Sequence, residues 1–196
     1  MSLLSKLISQ AKKPSGILGK AMVLIMNIAH RNKTIWGLSQ VHIQENNEVL
    51  DIGCGGGITL NLLQSWVTTG NIVGIDYSKD AVNLSIKTNQ NAINDGLVRV
   101  ELGNVMCLPY ANDSFDIVTA VQTHYFWPDM LQSVMEVYRI LRNDGKVVFI
   151  AESYKMSYHM PKYETIEKLK SLLEENGFRH ISIQENNGWV CLAGTK

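Results

Sequence analysis

Apolar residues along the chain follow two rhythms, and the change from one to the other marks the elements. From residue 48 onward, short runs rich in β-branched and aromatic residues (49–52, 72–75, 98–102, 115–121 and 146–150) alternate with stretches whose apolar residues recur every three or four positions. The runs predict strands and the stretches predict helices. One helix is expected over 58–67, carrying Leu62, Leu63 and Trp66; a second runs from Ser78 to a stop at Gly96; a third runs from Pro128 through Val134, Tyr138 and Leu141 to Gly145. Repeated β-α-β units imply a parallel sheet covered by helices on both faces. Near the C-terminus the pattern changes: a helix over about 164–176 precedes two alternating runs, 180–185 and 189–194, joined through Asn187-Gly188. Asn-Gly between such runs is the strongest short hairpin signal, so five parallel strands and an antiparallel hairpin are expected.

Ahead of the first strand, residues 3, 4, 7, 8 and 11 are apolar at helical spacing, and the apolar run 21–29 is interrupted by Asn27. That run falls well short of the ~20 residues that span a bilayer, so no transmembrane segment is expected. Lys6 inside the apolar part of the N-terminus makes a poor signal peptide. Net charge is 0, yet residues 1–44 hold six Lys or Arg and no Asp or Glu, which leaves the remainder with 12 basic and 18 acidic residues. Attraction between a cationic segment and an anionic body needs no external partner. Residues 1–44 are therefore expected to form a helical lid within the same domain as the body, 45–196. A chain of 196 residues can bury roughly 70% of its unfolded surface, and 18% charged residues is below the usual share of about 25%, both of which fit one packed domain. The three cysteines have no CxxC among them, so neither a disulfide framework nor a zinc site is indicated, no metal is expected, and a reducing cytoplasm is the expected compartment.

The chemistry concentrates in "VLDIGCGGG", residues 49–57, a strand followed by a glycine-rich turn. Such a turn lies at the carboxyl end of the sheet, where open α/β sheets bind ligands, and its glycines let a ligand lie against bare backbone. Asp76 ends the next strand, where a carboxylate can accept both hydroxyls of a ribose. The dinucleotide fingerprint GxGxxG counted from Gly53 would need glycine at 58, where Ile58 stands, and no GxxxxGK[ST] loop is present. Asp51, two residues before Gly53, repels a pyrophosphate but suits the ammonium of a methionine moiety. That sign argument favours S-adenosyl-L-methionine.

The ordered motifs "VLDIGCGGG", "VGIDYS", "LPYANDSFDIV" and "EVYRILRNDGKVVFI" resemble those of the class I S-adenosylmethionine-dependent methyltransferases over residues 48–150. The resemblance implies a Rossmann-like α/β three-layer sandwich with a seven-stranded, mostly parallel sheet. It implies methionine contacts from Asp51, Gly53, Cys54 and Gly55, a ribose contact from Asp76, and Tyr77 beside the adenine. Where the family usually carries an Asp facing the adenine amino group, this chain has Asn104, followed by Val105. Gln122, at the end of the fourth strand, is expected to touch the cofactor as well.

A sulfonium methyl is already activated, so an enzyme of this kind mainly has to hold the acceptor in line, and positioning alone can contribute about 7 to 11 kcal/mol. Should the acceptor need a base, the candidates are His30, His124, His159 and Glu152. Asn27, His30, Trp36, Tyr125 and Trp127 are expected around the acceptor, with Phe126 in the core. The [DN]PPY motif of family members that methylate base amines or glutamine is missing from "AVQTHYFWPD". The expected activity is methyl transfer to a small molecule by a monomer or homodimer, with no nucleic-acid partner. The alternatives are an RNA or protein methyltransferase using the cationic segment, or a non-catalytic S-adenosylmethionine-binding module.

Overall fold

The computed structural model describes residues 31–196. Residues 1–30, and with them Asn27, His30 and most of the expected lid, lie outside the described residues. Strands β1 (Glu48–Ile52), β2 (Asn71–Asp76), β3 (Val98–Leu102), β4 (Phe115–Val121), β5 (Leu141–Glu152), β6 (Arg179–Asn186) and β7 (Trp189–Thr195) form one sheet in the order β3-β2-β1-β4-β5-β7-β6. The first five are parallel, and β7 lies between β5 and β6, antiparallel to both. The hairpin turns at Asn187 (φ 49°) and Gly188 (φ 78°), two successive positive angles as a type I′ turn requires, and pairs Asn186 with Trp189.

Successive residues of the central strands face opposite cores, which is why these strands are apolar at nearly every position. On one face Leu50, Val118, Phe149 and Leu192 pack with α4 (Met130–Ile140) and α6 (Ile166–Glu175). On the other, Val49, Ile117, Val148 and Cys191 pack with α1 (Ile58–Leu63) and with Leu38 of a helical stretch over 31–38. Gly37 lies so close to Ile150 that a Cβ would stand 2.5 Å from Ile150 Cγ1. The described part of the N-terminal segment is thus built into the body. No helix among the described residues is long and apolar enough to cross a membrane.

Three boundaries depart from the periodicity, the first being the helix expected over 58–67, which ends at Leu63 and leaves Trp66 outside it. The helix expected over 78–96 is two, α2 (Lys79–Thr88) and α3 (Gln90–Asn94), broken at Asn89. Asn89 is buried: its Nδ2 donates to the Gly57 and Ser85 carbonyls (both 3.0 Å), and its Oδ1 accepts from Gln64 Nε2 (2.9 Å). The break tethers α2 to the glycine turn, a long-range gain that helix periodicity does not encode. The helix after Pro128 ends at Ile140, because Leu141 already pairs with Phe115 and so opens β5 five residues before the expected strand. One further short helix, α5 (Ser153–His159), follows β5 directly.

Candidate functional site

Three strand ends build the site. At the end of β1 the Gly53 and Cys54 N–H groups both donate to the Ile75 carbonyl (2.7 and 3.1 Å), clamping the turn to β2. Gly53 has φ 72° and Gly55 φ 54°, conformations costly for other residues. A Cβ on Gly53 would run into Thr123 Oγ1, whereas one on Gly55 would meet nothing nearer than the Gly53 carbonyl at 4.0 Å. The turn is therefore packed below and bare above.

Asp76, at the end of β2, is buried. Its Oδ2 accepts from Gly55 N–H and its Oδ1 from Ser78 N–H, both at 2.9 Å. Burial pushes its carboxyl above the ordinary value, an effect that those backbone donors partly offset. Asp51 lies deeper, fully buried beneath the turn, with Thr119 Oγ1 donating to Oδ1 at 2.7 Å. Burial raises its pKa to about 7, against the Thr119 bond, and the neighbouring Asp76 charge adds to the rise. Cys54 is buried as well, its thiol pushed up by burial and by both carboxylates.

A cavity of about 460 Å³ opens over these strand ends, within the ~300–1,000 Å³ usual for ligand sites. Of the residues expected to hold the cofactor, Gly53, Asp76, Tyr77, Asn104 and Val105 border it, while Asp51, Cys54, Gly55 and Gln122 do not. The Asn104 side-chain oxygen already accepts the Met106 N–H (3.0 Å), so the loop after β3 is held by the group that sequence reasoning offers to the adenine. Among the residues expected around the acceptor, Tyr125 and Trp127 border the cavity. Trp36 does not; it packs edge-on against Trp189, centroids 6.1 Å apart, on the opposite core.

Phe126, expected in the core, is only partly buried and joins Tyr125, Trp127 and His159 in one cavity wall. The His159 ring stacks on Tyr125 (5.8 Å, 24°) and stands edge-on to Phe126 (5.0 Å, 66°). Of the base candidates within the described residues, only His159 reaches the cavity. His124 is buried against Phe149, its pKa lowered to about 3 by burial, so it stays neutral at physiological pH. Glu152 is paired instead with Lys33 and with Lys155 (2.6 Å). Sequence reasoning passes over Thr123, although its place two residues past the fourth strand's end is the available signal, and it does not single out Lys155.

The bare glycine backbone, a buried carboxylate that borders a cavity, and an apolar wall beyond them fit S-adenosylmethionine, whose ribose, methionine and methyl parts need those three surfaces. Residues 50–149 match the family described as a methyltransferase domain. A demethylmenaquinone methyltransferase of Lactobacillus johnsonii is 26% identical over 181 residues, covering 76% of this chain and 74% of that protein. One of Lactiplantibacillus plantarum is 32% identical over 126 residues, with 63% and 53% covered, so the match spans about half of that relative. A SAM-dependent methyltransferase structure from Aquifex aeolicus superposes with a TM-score of 0.75 at 19% identity, covering 90% of this chain and 97% of that one.

Proposed function

The chain belongs to the methyltransferase-domain family, as a class I S-adenosylmethionine-dependent enzyme, and from that premise we propose that it methylates a small, flat, ring-bearing acceptor carrying a hydroxyl or carbonyl oxygen. One observation supports this above all: a single cavity has Asp76 and the glycine turn at one end and Tyr125, Phe126, Trp127 and His159 along another side. Flat aromatic surface binds flat rings by offset or edge contacts. The names of the curated relatives agree in kind, since demethylmenaquinone is a quinone.

Bound S-adenosylmethionine would supply an activated methyl on sulfur. Asp76 would accept the ribose hydroxyls, the turn at Gly53 and Gly55 would carry the methionine backbone, and Tyr77, Asn104 and Val105 would flank the adenine. Gly53, packed against Thr123, joins the cofactor side to the β4 end that leads into the aromatic wall. Along that wall the acceptor ring would be held in line with the methyl. His159 is the imidazole positioned to take a proton from an acceptor hydroxyl. The test is transfer of labelled methyl groups to a panel of phenols, quinols and non-aromatic alcohols: transfer confined to the hydroxylated rings is expected, and transfer confined to non-aromatic acceptors overturns the assignment.

Asp51 makes the cofactor side sensitive to pH. Its carboxyl, held near 7 in the free protein, ionises more easily when an ammonium lies close, so cofactor binding expels its proton below that pH. Affinity should therefore strengthen as pH rises from about 5.5 to 7.5 and level off above the free-protein value. Asp76, whose carboxyl is also raised, contributes to the same slope. Asp51→Asn should flatten the profile in calorimetric titrations across that range; an unchanged slope would remove Asp51 from the ammonium.

A further inference from the structure

β3 is the outermost strand at one end of the sheet, and among the described residues only β2 pairs with it. The hydrogen bonds at its two ends set the phase of its free edge. The Leu97 carbonyl accepts from Ile72 N–H and the Gly103 N–H donates to the Asp76 carbonyl, both at 2.9 Å, so the alternation along the strand turns the backbone groups of 97, 99, 101 and 103 toward β2. Val98, Val100 and Leu102 turn theirs outward, an open row of donors and acceptors ready to pair with another strand.

The side chains alternate as well. Val98 and Val100 border a groove of about 400 Å³ along this edge, together with Ile86, Ile93 and Leu97. Leu102, on the same face of the strand, is 57% exposed. Arg99 and Glu101 project from the opposite face, where they form an ion pair and Glu101 accepts the Tyr110 hydroxyl. Along the strand VRVEL the order is apolar, basic, apolar, acidic, apolar. Reversing it about Val100 therefore sets apolar against apolar and each charge against its opposite.

We propose that β3 is the interface of a homodimer, in which a second copy of this chain pairs antiparallel about a two-fold axis at Val100 and joins the two sheets into one. A two-fold contact needs a surface complementary to itself, and this strand is one. The axis sets Val98 against Leu102 of the second copy, Val100 against its own counterpart, and Arg99 against Glu101 of the second copy. The outward backbone groups then meet as hydrogen-bonded pairs, and the charges fall at the alternate positions, where side chains across the junction stand closest. Slipping the register by two residues keeps the hydrogen-bond phase but sets Arg99 against Arg99 or Glu101 against Glu101, so charge selects the register centred on Val100. In that register the exposed Leu102 of each copy lies opposite Val98 of the other, at the apolar groove.

The test follows the mass of the full chain by light scattering as protein concentration rises from about 1 to 100 µM. The unaltered protein should move from the mass of one chain toward that of two. R99E or E101R alone sets like charges against each other and should raise the dimer dissociation constant by about ten-fold or more. An equal mixture of R99E and E101R restores opposite charges across the junction and should return the dimer. Val100→Pro removes an outward donor and spares the ladder with β2, so it should give a folded single chain and serves as a second variant should a charge reversal fold poorly. A cooperative melt identifies each folded variant. An unaltered protein that keeps the mass of one chain throughout overturns the inference. So does a dimer indifferent to the charge reversals or to Val100→Pro, or a mixture of the two folded reversals that stays single.

Discussion

Asp76→Ala is expected to weaken S-adenosylmethionine binding by about 1.5 to 3 kcal/mol, roughly 10- to 150-fold in Kd. Two effects add. The variant loses charge-assisted acceptors for the ribose hydroxyls, and it strips the Gly55 N–H of its partner, so the turn that carries the methionine end loses its anchor to β2. Because the free protein bears the cost of burying this carboxyl, the loss in thermal stability should be small beside the loss in binding. Calorimetry with a parallel melting curve separates the two. Asp76→Asn keeps one acceptor oxygen and should fall between; a Kd unchanged in the folded alanine variant would place the ribose elsewhere.

Val190→Pro is expected to unfold the protein or nearly so. Val190 pairs with Ala151 of β5 and Glu185 of β6, and its side chain is buried. With ladders on both sides of β7, its N–H serves one neighbour or the other, and proline removes that donor and brings a ring into the interior of a sheet. A cost of about 3 kcal/mol or more against a typical total of 5–15 kcal/mol leaves little margin. Denaturant titration should show the midpoint collapse. A midpoint close to that of the unaltered protein would mean that β7 is not an interior strand.

What the sequence reveals and what it hides divide along the range of the interactions. The strands, the hairpin turn at Asn187-Gly188 and the glycine turn are legible because each rests on neighbours in the chain: two-face burial, a type I′ dipeptide, clustered glycines. The break at Asn89 is not, since its partners, Gly57 and Gln64, are 32 and 25 residues away. The early start of β5 escapes for the same reason, as Leu141 is recruited by Phe115. Within the site, Asp76 is nominated by its position at a strand end and Tyr77 by the family resemblance, and both border the cavity. Trp36 is nominated by its segment alone, and the fold turns it to the opposite core. Phe126 shows the converse, because an aromatic ring before a helix looks the same in sequence whether it fills a core or walls a cavity.

The insertion of β7 between β5 and β6 also sets a condition on assembly. β6 precedes β7 in the chain yet has no place of its own beside β5, because that slot belongs to β7. While Trp189–Thr195 is unpaired, the long β5 edge is an open row of donors and acceptors able to recruit another chain. Substitutions that loosen β7 should therefore promote aggregation more than changes of the same size near β1.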